Sequence, residues 1–252
     1  MKVVILAGGL GTRLAEETDK VPKPLVRIGS YPILIHIMNI YSFYGYKDFI
    51  ICGGYKYIKI IKYFQKLYDF KFVKKTKYEN ILFSKKFDWK VNIVFTGQRT
   101  NTGGRLLKIK NLVKEIFFLT YGDGLANINI KNLLNFHNKK TIATVTAVKP
   151  PGRFGVLKIN KSQVFKFQEK VDNNNVWING GFFVFKREVF KYIKKYSDSL
   201  ERDVLTKIAK DKLMNAYKLR EFWQPMDTLR DKNELNKIWN KGKAPWKRLK
   251  KK

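Results

Sequence analysis

Short apolar runs, each stopped by glycine, set the pattern of this chain. Residues 2–7 (Lys-Val-Val-Ile-Leu-Ala) are nearly all apolar and end at Gly8-Gly9. That is the pattern of a parallel strand buried on both faces and running into a turn. Pro32 suits the first turn of a helix that the apolar spacing carries over about 33–44, with Gly45 just past its end. Residues 49–52 repeat the short buried strand and again meet a glycine pair, Gly53-Gly54. Ile58, Ile61 and Phe64 recur at spacings of three and predict a second helix. Residues 91–95 and 116–120 read as further strands, with a helical stretch over 106–113 between them. Such alternation predicts a parallel sheet with helices on both faces.

After Asp123 the pattern changes. Residues 141–148, 154–159, 164–168 and 178–185 read as strands separated by turns. Helical stretches near 187–196 and 201–211 precede a last strand at about 214–219. Residues 66–90 mix Lys, Phe and Tyr and fit a hairpin or a loop equally well. The expectation is an α/β protein with a Rossmann-like, mostly parallel mixed sheet flanked by helices, carrying a small mixed-sheet lobe for a second substrate. Residues 1–240 form one catalytic domain, and 241–252 a basic C-terminal tail.

Composition sharpens this picture at a few points. The chain has 252 residues, 44% hydrophobic and 15% aromatic, enough to bury one sizeable core and too apolar for disorder. A single cysteine, Cys52, excludes an intramolecular disulfide, and its place beside Ile50 and Ile51 predicts a buried strand residue. The first apolar run is too short for a signal-peptide core. The stretch over 33–43 is broken by His36, Asn39 and Ser42 and falls short of the ~20 residues a spanning helix needs. A cytoplasmic protein without a membrane partner is expected. Of the two histidines, His36 falls in an apolar helix and reads as core, and His137 reads as exposed; no Cys/His cluster has zinc spacing.

Charge is the outlying feature. Fifty-two Lys and Arg against 20 Asp and Glu give a formal net charge of +32. Such a balance favours polyanions, whether nucleic acid, anionic lipid or phosphorylated substrates. The lysines are spread along the whole chain rather than gathered into an arm, so no specific nucleic-acid partner is expected.

The densest chemistry lies in Leu6-Ala7-Gly8-Gly9-Leu10-Gly11-Thr12-Arg13-Leu14, directly after the first strand. Glycines let backbone approach a ligand and turn N–H groups toward phosphate oxygens, and Arg13 adds a fixed cationic fork. Two other phosphate motifs are excluded. The dinucleotide fingerprint would need glycine where Leu14 stands, and no Gly-Lys precedes Ser or Thr here as a Walker loop requires. Pro22-Lys23-Pro24 follows, its prolines restricting the backbone on either side of Lys23.

With these residues the chain resembles the sugar-1-phosphate nucleotidyltransferases, and within them the cytidylyltransferases acting on glucose 1-phosphate. Besides the glycine loop and Pro-Lys-Pro, the likeness rests on Thr102-Gly103-Gly104-Arg105, Thr120-Tyr121-Gly122-Asp123-Gly124, Phe167-Gln168-Glu169-Lys170, Ile178-Asn179-Gly180-Gly181, and Phe222-Trp223-Gln224-Pro225-Met226-Asp227-Thr228. It departs at Phe95, where an acid is expected, and at Val171, where proline is expected.

The resemblance implies a nucleotide site formed by Leu6, Ala7, Gly8, Gly9, Gly11, Thr12, Arg13, Lys23, Thr100, Arg105 and Asp123. It gives Arg13 and Lys23 catalytic roles, and assigns Lys170, Asn179 and Gly180 to the sugar phosphate. It makes Asp123 and Asp227 the ligands of Mg²⁺, a cation suited to carboxylates plus phosphate oxygens. It implies CTP and glucose 1-phosphate as substrates, a homo-oligomer, and a place in nucleotide-sugar and polysaccharide (O-antigen) biosynthesis. Arg105 suits the carbonyl oxygen and ring nitrogen of cytosine, with Gly103-Gly104 admitting the flat ring. Other readings stay open. Asp123 could be a turn residue, Asp227 a helix cap, and Lys170 one more solvated lysine. The triphosphate could be dTTP, UTP or GTP, the sugar phosphate could differ, and a basic nucleic-acid-binding protein could share the fold.

Overall fold

The computed structural model describes residues 1–67, 69–150, 156–160, 163–168 and 176–247. Strand β1 (Lys2–Ala7) runs into the glycine loop, a 3-10 turn at Thr12–Leu14 and one turn of helix, α1 (Ala15–Thr18). A second 3-10 turn at Lys23–Leu25 and a short ribbon, β2 (Arg27–Ile28) with β3 (Tyr31–Pro32), lead into α2 (Ile33–Phe43). Then come β4 (Asp48–Gly53), α3 (Tyr57–Lys66), β5 (Lys71–Lys75), β6 (Glu79–Ser84) and β7 (Trp89–Phe95). The stretch 66–90 is thus largely a hairpin.

Helix α4 (Thr102–Lys108) starts four residues before the helix expected at 106, because Asn101 caps it by accepting from the Thr102 N–H. β8 (Ile116–Tyr121), β9 (Gly124–Ala126), α5 (Ile130–Phe136) and β10 (Ala143–Val148) follow. The hairpin β11 (Val156–Asn160) and β12 (Gln163–Gln168) precedes β13 (Ile178–Lys186). A 3-10 segment at Arg187–Tyr192, a π turn at Leu200–Leu205 and α6 (Thr206–Lys210) lead to β14 (Met214–Leu219). The described chain closes with β15 (Trp223–Pro225) and α7 (Leu229–Asn240).

The main sheet has the order β14-β10-β13-β8-β1-β4-β7-β6-β5. β1 pairs in parallel with β4 and β8, β4 with β7, and β10 with β14; the remaining pairs are antiparallel. Alternation along β1 divides the core: Val3 and Ile5 face the cluster that includes α2, and Val4 and Leu6 face the one that includes Leu106, Val189 and Val204.

Of the strands expected after Asp123, β10, β13 and β14 extend this sheet. β13 buries four consecutive residues, Phe182 to Phe185, the pattern of a strand covered on both faces, and this draws it beside β8. β11–β12 forms a two-stranded sheet of its own, as β9–β15 and β2–β3 do.

Past α7, Ala244 and Trp246 return into the core, so the described start of the expected tail packs on the domain. Trp246 Nε1 donates to His36 Nδ1 at 3.3 Å, and His36 Nε2 lies 2.9 Å from the Ile28 carbonyl. His36 is the core residue its helix predicts. His137 is half-buried rather than exposed, its Nδ1 2.9 Å from Thr144 Oγ1. Cys52 is fully buried, and burial pushes its thiol up to about 12. Among the described residues no helix is long and apolar enough to cross a membrane.

Candidate active site

The chain enters β1 between two parallel neighbours, β4 on one side and β8 on the other. Connections therefore leave the carboxyl ends of these strands in opposite directions and open a crevice, where α/β sheets place ligands. A cleft of about 510 Å³ lies there, lined by the glycine loop, Lys23, Arg105, the turn at 121–124, Asn179–Gly181 and Asp227. Gly11 holds the loop in shape. Its φ of +73° is left-handed, and a Cβ there would come within 2.7 Å of Thr18. Thr18 in turn donates its hydroxyl to the carbonyls of Gly11 and Leu14.

Asp123 ends the turn after β8, and Asp227 arrives from over a hundred residues away. β15 pairs antiparallel with β9, and the Met226 N–H donates to the Asp123 carbonyl at 2.8 Å, so the segment is laid directly along the turn. Thr228, not Asp227, caps α7: its hydroxyl accepts from the Asp231 N–H, and Asp231 accepts from the N–H groups of Asp227 and Thr228. This capping box leaves the Asp227 carboxylate to the cleft.

Lys23 Nζ stands between the two acids, 2.7 Å from Asp123 Oδ2 and 2.7 Å from Asp227 Oδ1. Burial alone would lower the Lys23 pKa. Attraction to Asp123 and hydrogen bonds to both carboxylates outweigh that, so it is raised and the ammonium stays charged. Arg13 forms a two-pronged pair with the same Asp227, 3.0 Å on each prong, while 70% of its own side chain is exposed. Two carboxylates on separate segments thus converge on a single cationic point. That donor set fits a divalent cation completed by phosphate oxygens and water. Among the described residues no group of three or more His, Cys, Asp and Glu forms a fuller cage.

Arg105 is placed differently from the sequence expectation. It is 4% exposed, and its guanidinium donates to the carbonyls of Gly8 (2.8 Å), Gly97 (2.7 Å), Gln98 and Gly53 and to Thr96 Oγ1 (2.8 Å). It borders the cleft while tying the glycine loop to the ends of β4 and β7. Nor do Gly103 and Gly104 make room for a ring. A Cβ on them would meet the carbonyls of Asp198 (2.7 Å) and Tyr196 (1.9 Å), so they let α4 lie against that loop.

The room around the guanidinium comes instead from Gly8 and Gly54. A Cβ on Gly54 would sit 2.5 Å from Arg105 Nη1 and 2.6 Å from the Gly8 carbonyl. Gly54→Ala therefore loses about 1–3 kcal/mol of stability in urea denaturation. Gly9→Ala, where a Cβ meets nothing within 4 Å, changes stability by less than about 0.5 kcal/mol. Equal losses in the two variants would remove Gly54 as the seat of Arg105.

On the opposite wall, Asn179 Nδ2 donates to Tyr121 Oη at 3.2 Å, and Tyr121 donates to Glu201 Oε1 at 2.6 Å. Burial and the adjacent Glu201 carboxylate raise the Tyr121 pKa well above that of a free phenol. Burial opposes ionisation of Glu201, but hydrogen bonds from Tyr121, Thr102 and Ser199 prevail and lower its pKa. Trp223 Nε1 donates to the Gly180 carbonyl at 2.8 Å. Thr100 is half-buried beside Arg105.

The structure thus brings together Leu6 to Gly9, Gly11, Thr12, Arg13, Lys23, Thr100, Arg105, Asp123, Asn179, Gly180 and Asp227. Lys170 lies outside the described residues. Sequence reasoning missed Tyr121, Trp223 and Glu201 as individual residues. The first two sit in segments already singled out, but Glu201 carries no signal, since only the fold brings it against Tyr121 and Thr102.

Backbone amides and cations gathered at strand ends, opposite paired carboxylates, suit transfer between phosphorylated partners. The family model for nucleotidyl transferases matches residues 2–239, and the chain belongs to that family. Within it, the chain is 48% identical over 256 residues to a glucose-1-phosphate cytidylyltransferase of Salmonella typhimurium (strain LT2), covering 98% of this chain and 99% of the relative. The fold is shared with HddC from Yersinia pseudotuberculosis, at a TM-score of 0.71 and 22% identity over 94% of this chain and 99% of the other. It is also shared with UDP-glucose pyrophosphorylase, at a TM-score of 0.67 and 16% identity over 96% and 98%.

Proposed function

We propose that this nucleotidyltransferase moves the cytidylyl group of CTP to glucose 1-phosphate, giving CDP-glucose and pyrophosphate. Lys23 held between Asp123 and Asp227 at the mouth of the glycine loop is the observation that carries the chemistry. The substrate pair follows from the relative that matches end to end at 48% identity. A homo-oligomeric cytoplasmic enzyme of polysaccharide precursor synthesis goes with the same reading.

The attacking oxygen of a sugar 1-phosphate is already ionised, so no general base is required. The obstacles are repulsion between anions and misorientation, which positioning and fixed positive charge lower. Glycine-loop N–H groups cradle the triphosphate. Arg13, on an exposed side chain at the loop's end, holds the leaving pyrophosphate. Lys23 offsets charge on the phosphoryl under attack. Asp123 and Asp227 would hold Mg²⁺, which supplies charge neutralisation along the phosphates. Asn179 and Gly180, with Lys170, take the sugar phosphate.

The base lies in the adjoining recess lined by Gly8, Gln98, Thr100 and Arg105. Cytosine presents two adjacent acceptors, a carbonyl oxygen and a bare ring nitrogen, whereas uracil and thymine place a hydrogen on that nitrogen. A polar recess facing the wrong pattern discriminates strongly. Pyrophosphate release with glucose 1-phosphate and each of CTP, UTP, dTTP and GTP therefore gives kcat/KM highest for CTP, by about 10²-fold or more over UTP. A preference for dTTP or GTP overturns the cytidylyl assignment.

A further inference from the structure

Glu201 belongs to no motif and does not line the cleft, yet its carboxylate joins two residues that do, Tyr121 and Thr102. One oxygen accepts from Tyr121 Oη at 2.6 Å; the other accepts from Thr102 Oγ1 at 2.7 Å and Ser199 Oγ at 2.8 Å. Thr102 opens the helix that carries Arg105, and its hydroxyl also accepts from the Leu200 N–H at 2.8 Å. The same carboxylate therefore holds the nucleotide-side helix and, through Tyr121, the strand that carries Asn179.

Hydrogen-bond direction makes this more than packing. An ionised carboxylate can only accept, so the Tyr121 hydroxyl must donate to it. Its lone pairs then face Asn179, whose Nδ2 donates to it at 3.2 Å. Asn179 Oδ1 meanwhile accepts from the Gly181 N–H at 2.8 Å, so the amide has one orientation, with its second N–H left for a ligand in the cleft. The tyrosine ring is held as well. Gly181 has a φ of +77°, and a Cβ there would stand 2.5 Å from Tyr121 Cδ2, so only glycine lets the ring lie against this turn.

We infer that Glu201 is a positioning residue: through the Tyr121 hydroxyl it fixes the Asn179 amide toward the sugar phosphate. The inference rests on the assignment of Asn179 to the sugar-phosphate side of the proposed reaction. It concerns affinity for the acceptor substrate rather than the chemical step.

Steady-state kinetics with glucose 1-phosphate varied at saturating CTP, and the reverse, test it on Tyr121→Phe, Glu201→Gln and the double variant. Tyr121→Phe raises KM for glucose 1-phosphate about tenfold, the loss of one hydrogen bond plus a misdirected amide. Glu201→Gln, which can still accept from the tyrosine but no longer dictates its direction, raises it about threefold. The double variant is no worse than Tyr121→Phe alone, since Glu201 reaches Asn179 only through Tyr121. In all three, kcat and the KM for CTP stay within about twofold of wild type.

A KM for sugar phosphate that is unchanged in either single variant overturns the inference. So does a further rise when Glu201→Gln is added to Tyr121→Phe, or an equal rise in both substrates' KM, which would mark general loosening of the wall. If the wild-type enzyme turns over a different triphosphate or sugar 1-phosphate, the substrate assignment fails. The same three variants compared on the pair it does use then test the positioning role separately.

Discussion

Lys23→Met lowers kcat by about 10²–10³-fold while leaving the KM for CTP within about threefold, the signature of a charge that matters more in the transition state than in the bound substrate. Methionine keeps an unbranched apolar stem of similar length and removes the ammonium. Two effects follow from one deletion. The phosphoryl under attack loses the cation nearest to the paired acids. Asp123 and Asp227, each 2.7 Å from that nitrogen, also lose their shared cation, while Asp227 keeps its pair with Arg13. Removing one partner of a buried ion pair costs on the order of 3–5 kcal/mol, and with 30% of the Asp123 side chain exposed the cost falls at the low end, about 3 kcal/mol. A divalent cation can repair the second effect but not the first. Magnesium therefore raises the Tm of Lys23→Met more than that of wild type, without restoring turnover. A variant with kcat within threefold of wild type removes Lys23 from the chemistry, whatever its stability.

The central strands were legible because their chemistry is local. Residues 2–7, 49–52 and 116–120 are short apolar runs, and such runs in an α/β alternation have almost no use except as buried parallel strands. The hairpin over 71–84 was ambiguous for a physical reason. β5 is an edge strand with mostly exposed residues, so neither a buried face nor a helical stripe marks it. Strand order in the mixed-sheet half was not legible because it is a property of pairing, and nothing in the run Phe182 to Phe185 says that its neighbour is β8.

The same distinction runs through the site. Gly8, Gly9, Gly11, Arg13 and Lys23 lie within sixteen consecutive residues, and a spacing can be read off a sequence. Arg105 was visible as a charged residue after two glycines, but its partners are backbone carbonyls at positions 8, 53, 97 and 98, and carbonyls look alike in every residue. Its role in tying the glycine loop was therefore hidden, and the two glycines before it were assigned to a ring rather than to the loop at Tyr196 and Asp198. Asp227 had two readings in the sequence, cap or ligand. The structure separates them by giving the cap to Thr228 and its box partner Asp231.

Asp123→Asn and Asp227→Asn each lower kcat/KM by about 10³-fold or more and shift the magnesium concentration at half-maximal activity upward. Two carboxylates around one divalent cation each supply part of its binding energy and part of the field that orients the phosphates, so loss of either empties the site in effect. Groups acting through one ion are not independent, and the double variant is worse than either single one by no more than about tenfold. The two single variants differ in what they do to the resting site. Asp123→Asn weakens one contact to Lys23. Asp227→Asn weakens a contact to Lys23 and the two-pronged pair with Arg13. Arg13 is largely exposed, and exposed pairs contribute about 0–1 kcal/mol, so the second substitution costs little more stability than the first. Activity and stability are thus expected to dissociate: both variants fold, with Tm values near each other, and both are nearly inactive. Measuring kcat/KM across a magnesium titration for wild type, both single variants and the double variant decides the matter. Losses that simply multiply in the double variant would mean that the two acids serve separate functions. A single variant that keeps wild-type activity at ordinary magnesium would remove that residue from the metal site.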